Sequence, residues 1–326
     1  MLEPQPVAKP ESKSLPSTFP KGGTKSLPRI INDYLTLTKP PIIVLLLITA
    51  FGGMFLAARG VPPLPLMALV GLGGALGAGG ANAINHYLDR DIDLVMSRTR
   101  HRPVPGNRVA PHKALSFGIL LNLIAFLILA GWVNLLAASL TISASLFYIF
   151  VYTSWLKRTT PQNIVIGGAA GSMPPLVGWA AVTGGLDLPA VYLFAIIFFW
   201  TPPHFWALSL LIQRDYERAG IPMLPVVAGR DRTILNIFIY ALVLVTLTLL
   251  FVFTRAAGWI YLGSALLLGG GFLWLAWQLM RHGNTQTARK LYLYYLLYLA
   301  LLFVSVMVDG AFHYRVPYVD IPVALW

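Results

Sequence analysis

The chain of 326 residues has no cysteine, and only 11% of it is charged. Without thiols there are no disulfides, no thiolate ligation of haem iron and no iron–sulfur clusters, and the redox compartment stays open. Soluble domains carry about 25% charged residues, so the second shortage argues against one. Acids are the scarcer sign, with 12 Asp and Glu against 24 Lys and Arg. The N-terminal 1–38 stretch is rich in Pro, Ser and Lys and lacks an apolar core, which excludes a secretory signal. Glu3, Glu11 and the scarcity of arginine also make it a poor transit peptide. A polar, disordered cytoplasmic tail is predicted for 1–38. The chain also lacks any Ser–His–Asp or Cys–His arrangement for nucleophilic catalysis.

Apolar sequence takes the place of what is missing. Hydrophobic residues make up 57% of the chain and mean hydropathy is +0.70. Nine stretches are long enough to cross ~30 Å of hydrocarbon as helices: near 41–59, 65–87, 114–132, 135–155, 162–183, 189–212, 233–254, 258–280 and 291–309. The predicted fold is an all-α membrane protein, with the membrane domain at 39–312 and a short extracytoplasmic tail at 313–326. The pairs Pro174–Pro175 and Pro202–Pro203 lie inside spans and predict kinks with freed carbonyls.

The positive charge is arranged by side. The tail and the loops after spans 2, 4, 6 and 8 hold 21 of the 24 Lys and Arg, leaving Arg59, Arg255 and Arg315 opposite. This positive-inside pattern predicts a cytoplasmic N-terminus and an extracytoplasmic C-terminus. It explains the net charge of +12 without a nucleic-acid partner. Half of the acids lie in just two loops, Asp89, Asp91 and Asp93 after span 2 and Asp215, Glu217 and Asp231 after span 6. Two polar caps four spans apart suggest a pseudo-repeat around one site.

Asn85, Asp89 and Asp93 recur every four residues, which stacks them on one helix face. Two carboxylates and a carboxamide at a membrane edge suit a hard cation such as Mg²⁺, held with substrate phosphates. The competing reading is a solvated helix end whose acids pair with arginines. Asp91 falls on another face and suits such a pairing. Arg98 and Arg102 suit the rest of a polyphosphate. Lys157 and Arg158, ending span 4 after Tyr152, suit phosphate or carboxylate equally well as a topology anchor. The small residues of 71–83 suit close helix packing, and less readily open space for a ligand. His204, next to Pro203 in an aromatic run with Trp200 and Phe205, leaves three readings open: cavity lining, iron ligation or a bond to a freed carbonyl. His86, His101, His112, His282 and His313 receive no role.

Together these motifs resemble the UbiA superfamily of intramembrane prenyltransferases, most closely its haem-modifying branch. The match runs through Leu37-Thr38-Lys39-Pro40, the Asn85/Asp89/Asp93 ladder, and Met96, Arg98-Thr99 and Arg102-Pro103. It continues through Tyr152-Thr153, Leu156-Lys157-Arg158-Thr159, Asn163 to Gly168, Pro174-Pro175 with Gly178-Trp179, and Trp200 with Pro203-His204-Phe205. Asp215-Tyr216 and Ile221-Pro222 with Leu224-Pro225 complete it. Where the superfamily's second acidic motif offers two or more spaced aspartates, this chain offers Asp215, with Glu217 nearby.

The resemblance implies nine helices around a central cavity, capped by the loops after spans 2 and 6, in the plasma membrane with the site on the cytoplasmic face. It implies Mg²⁺ on Asn85, Asp89 and Asp93, with Asp215 as a further catalytic residue. Arg98, Arg102, Lys157 and Arg158 would meet the diphosphate, and Tyr152, Trp200, His204 and Phe205 the cavity. The implied substrates are farnesyl diphosphate and haem B, the implied product is haem O for haem-copper oxidases, and the downstream haem A synthase is an implied partner. A quinone precursor or chlorophyllide is the alternative acceptor, disfavoured by the Pro-His-Phe segment and the reduced second acidic motif. A haem transporter or chaperone is the alternative from another class. Transporters place their ionisable groups nearer the bilayer midplane.

Overall fold

The structure, a computed structural model, describes residues 26–312. Residues 1–25 of the predicted tail, the whole of the predicted tail 313–326 and His313 lie outside the described residues. In chain order the helices considered below are α1 (Leu27–Thr38), α2 (Pro40–Ala58), α3 (Leu64–Leu88), α4 (Arg90–Val95), α5 (Pro111–Trp132) and α6 (Leu135–Thr159). They continue as α7 (Asn163–Thr183), α8 (Leu188–Leu211), α9 (Gln213–Arg218), α10 (Arg230–Thr254), α11 (Trp259–His282) and α12 (Thr285–Phe312). Among the described residues nine of these, all but α1, α4 and α9, are long and apolar enough to cross a membrane.

Local sequence explains where the spans begin. α2, α3, α5 and α8 carry proline in the first turn, where a missing N–H costs nothing. Asn134 caps α6 by accepting from Ala137 N at 2.8 Å. Asn284 caps α12 in the same way, accepting from Thr287 N at 2.8 Å. That cap starts α12 six residues before the apolar run that predicted it at 291, because a helix can extend through polar sequence beyond the hydrocarbon. One prediction is corrected outright. Residues 27–38, assigned to the disordered tail, form the amphipathic helix α1, whose Leu37 and Asp33 are buried.

α7 and α8 form the interior: 61% and 67% of their most apolar stretches are buried, against 22% for α5. The two proline pairs behave differently. α7 breaks at Met173, just before Pro174–Pro175, whereas α8 continues unbroken through Pro202–Pro203. Small residues set the closest helix contacts, as the packing reading of 71–83 predicted. A Cβ on Gly80 of α3 would lie 2.6 Å from Gly118 O of α5, and one on Gly118 would lie 2.6 Å from Gly80 O.

Candidate active site

α3 brings Asn85 to the mouth of the bundle, where the helix yields to α4 at Asp89 (φ −88°, ψ 6°). The backbone ladder survives this break. Asp89 N donates to Asn85 O at 2.9 Å and Asp93 N to Asp89 O at 2.8 Å, so the four-residue spacing keeps all three side chains in register. All three are at most 3% exposed. Buried carboxylates require partners, and three other segments supply them. Lys157 at the end of α6 meets Asp89 Oδ2 at 2.5 Å. Arg102 donates to both oxygens of Asp93, at 2.9 and 2.8 Å. Lys39, between α1 and α2, donates to Asn85 Oδ1 at 2.7 Å. The Asn85 amide in turn donates to Asp89 Oδ2 at 2.7 Å and to Thr153 Oγ1 at 3.2 Å.

One acceptor is left over. Asp89 Oδ1 is buried without a hydrogen-bond partner, and Arg158 Nη2 stands 3.9 Å away. Arg158 is committed elsewhere, gripping Asp91 with two bonds of 2.7 and 2.8 Å. Asp91 is thus an arginine partner, as its helix face predicted. Burial, reinforced by the Arg102 and Lys157 charges, lowers the Lys39 ammonium to about 7 against the pull of Asp89 and Asp93.

The second acidic cap closes over the first. Ser97 Oγ donates to Asp215 Oδ2 at 2.6 Å, joining the loop after α3 to α9. Ile92 and Met96 share a buried apolar cluster with Ile164, Tyr216, Ile221 and Met223, and Tyr152 and Phe205 pack against it. Burial is the main cause that raises the Tyr216 phenol above its ordinary value. Glu217 remains exposed and accepts from Gln213 Nε2 at 2.8 Å. Arg98 is exposed near Tyr216.

His204 and Trp200 sit apart from this cluster. The His204 imidazole lies between Trp200 and Tyr292, with centroids 4.5 and 5.0 Å away and rings within 17° of parallel. Its Nδ1 has no hydrogen-bond partner, which argues against the freed-carbonyl reading. Trp200 Nε1 donates to Tyr295 O at 2.9 Å, which makes this ring a core contact.

Sequence reasoning overlooked four residues of the mouth: Lys39, Ser97, Thr153 and His86. His86 is 1% exposed with both ring nitrogens unpartnered. Thr153 belongs to a π-helical stretch of α6, Phe147–Leu156, a widening found often at functional sites. Lys39 had a signal in the Lys-Pro step that opens span 1. The π-stretch had none.

Among the described residues no three His, Cys, Asp or Glu side chains converge as a ready-made metal cage. The donors present nonetheless fit Mg²⁺. They are hard oxygens from Asp89, Asp93 and Asn85, one of them already lacking a partner, and Mg²⁺ commonly completes its shell with water and substrate phosphate.

The family model described as "UbiA prenyltransferase family" matches residues 46–306. The chain belongs to the UbiA prenyltransferase family. A protoheme IX farnesyltransferase of Roseiflexus sp. (strain RS-1) is 53% identical over 282 residues, covering 86% of this chain and 53% of that relative. One of Gloeobacter violaceus is 53% identical over 296 residues, covering 88% and 96%. The chain therefore spans about half the length of the first relative and nearly all of the second. Among solved structures, digeranylgeranylglyceryl phosphate synthase superposes with a TM-score of 0.71 at 18% identity, covering 86% of this chain and 98% of that one. A UbiA homologue of Archaeoglobus fulgidus bound to GPP and Mg²⁺ gives 0.61 at 16% identity, covering 85% and 99%. At such identities these two likenesses establish the UbiA fold. The multi-span membrane architecture, with nine candidate spans among the described residues, follows from the fold and from the chain's own helices.

Proposed function

We propose that the chain transfers a farnesyl group from farnesyl diphosphate to a vinyl group of protohaem IX, with addition of water, giving haem O. The observation that carries the chemistry is the buried Asn85–Asp89–Asp93 ladder, ringed by Lys39, Arg102 and Lys157. The choice of acceptor is supported by relatives about half identical in sequence that bear that activity as their name.

Asp89 and Asp93, with Asn85, would hold Mg²⁺, which when bound neutralises the diphosphate and makes it a better leaving group. The cations paired with these carboxylates are then released to the diphosphate. Lys157 and Arg102 would exchange Asp89 and Asp93 for the diphosphate, and Lys39 would leave the Asn85 oxygen. As the allylic C–O bond breaks, the electron pair departs with the diphosphate, and this basic ring stabilises the charge that develops there. The vinyl group attacks the allylic cation to form the new C–C bond. Water adds to the carbocation left beside the porphyrin and loses a proton, so no protein nucleophile is needed.

Tyr216 of α9 belongs to the apolar cluster that joins the two caps and Tyr152 and Phe205 pack against it, and their aromatic faces would stabilise the allylic cation and exclude water from it. His204 and Trp200 lie further along α8, where the acceptor ring would reach. Asp215 fastens the caps over the site through Ser97, and Arg98 and Arg158 form its outer basic rim. On this reading the mouth faces the cytoplasm with the C-terminus opposite, which the Lys and Arg distribution supports; the plasma membrane as its location and a membrane-embedded haem A synthase as receiver of the product belong to the same proposal.

Incubating the purified chain with farnesyl diphosphate, Mg²⁺ and protohaem, then weighing the porphyrin, tests the proposal. A porphyrin heavier by a farnesyl group plus a hydroxyl is expected. An unmodified porphyrin, with prenylation of a quinone precursor or chlorophyllide instead, would move the chain to another branch of the family.

A further inference from the structure

α1 has apolar residues on two sides. One edge packs on the protein: Leu37 joins Ala83, Val104, Val109 and Ala114 in a buried cluster, and Tyr34 meets Phe117 edge-on at 4.9 Å. The other edge is open, with Leu27 69%, Ile31 51% and Leu35 54% exposed. At 100° per residue these three side chains fall within an arc of about 80°, while Asn32, Thr36 and Arg29 fall in a separate arc of about 60° further round the helix. A helix with three large apolar side chains on its open edge and a polar stripe beside them is unsuited to water all round. It is suited to lying in the plane where headgroups meet acyl chains.

The connection to the first span forces such an attitude. α1 and α2 are separated only by Lys39, whose left-handed backbone (φ 55°, ψ 62°) interrupts the helix just where the span begins. The chain therefore turns off the span axis at the mouth. The first turns of α2 expose apolar side chains as well, Ile42 and Val44.

α1 is also fastened to the machinery of the mouth. Asp33, 3% exposed, accepts from Arg108 Nε at 2.7 Å, which ties it to the loop that carries Arg98 and Arg102. Asn82 Nδ2 holds Thr38 O at 3.0 Å, and Lys39 reaches Asn85.

We propose that α1 is a membrane-surface helix, docked edge-on into the lipid headgroup boundary through Leu27, Ile31 and Leu35, which moors the cap loop and Lys39 to the bilayer. The inference is independent of the reaction assigned above.

The absence of cysteine makes the test direct. Ile31→Cys, Leu35→Cys, Asn32→Cys and Thr36→Cys are made singly in the full chain, labelled with a nitroxide and reconstituted in phosphatidylcholine–phosphatidylglycerol vesicles. Collision rates with oxygen and with a water-soluble nickel chelate are then compared. The oxygen-to-nickel ratio should be several-fold higher at 31 and 35 than at 32 and 36. Equal ratios at all four sites would show that α1 stands in water and would overturn the proposal. Spin–spin broadening at 31 and 35 that disappears on dilution with unlabelled chain would overturn it too, by showing a second copy on this edge.

Discussion

The two acidic caps are built on opposite plans. Around α4 each carboxylate has its own cation: Asp89 has Lys157, Asp91 has Arg158 and Asp93 has Arg102. Around α9 the buried acid, Asp215, is held by the neutral hydroxyl of Ser97, and exposed Glu217 by the amide of Gln213. The first cap stores matched charges that can part when a metal and a polyanion arrive together. The second fastens. On this view the metal chemistry belongs to the α4 side, and the α9 side keeps it enclosed.

The largest effect is therefore expected from Asp89→Asn or Asp93→Asn. Each should lower turnover by about 10²–10³ or more at saturating Mg²⁺, a loss comparable to removing one transition-state contact, while the protein still inserts and purifies as a single species. Near-normal turnover in both would end the distinction between the caps. Asp215→Asn should be milder, about tenfold, and Ser97→Ala should mimic it if the bond between them is what matters. Asymmetry between those two would show that Asp215 acts beyond fastening.

Lys157→Met sharpens the comparison through stability. It leaves Asp89 buried without its cation, which should cost about 3 kcal/mol, and added Mg²⁺ should raise the melting temperature of this variant more than that of the wild type. Lys39 offers a pH test. Burial lowers its ammonium from 10.5 to about 7, so within that window the unfolded chain holds a proton that the folded chain lacks. Stability should then rise with pH between those values, and Lys39→Met should flatten the slope in a thermal-melt series. The smallest effect is expected from Asp91→Asn, since Asp91 and Arg158 form a partly exposed pair. A few-fold change in turnover at most is predicted.

The ladder was legible because its information is local. Three residues at a spacing of four fix their own face of a helix, and Arg102 lies only nine positions from Asp93. The spans were legible for a similar reason, since length and hydropathy suffice to find them. Partners drawn from distant sequence were not. Lys39, Thr153 and Ser97 meet their partners across 46, 68 and 118 residues, and only the packing of α2, α6 and α9 around α3 and α4 decides those meetings. α1 was hidden by its surroundings. Its apolar positions 27, 30, 31, 34, 35 and 37 follow helical spacing, but the proline- and serine-rich sequence before them draws the whole segment into a tail. The indole N–H of Trp200 is another long-range case, bound to the backbone of α12 across 95 residues.

The most direct test of the central claim separates binding from chemistry. A thiodiphosphate analogue of farnesyl diphosphate, which cannot readily ionise, is titrated calorimetrically into the purified chain without haem, with and without Mg²⁺. The account predicts tight binding only when Mg²⁺ is present, lost in Asp89→Asn and Asp93→Asn and kept in Asp91→Asn. Equal binding without the metal, or undiminished binding by the two ladder variants, would contradict it.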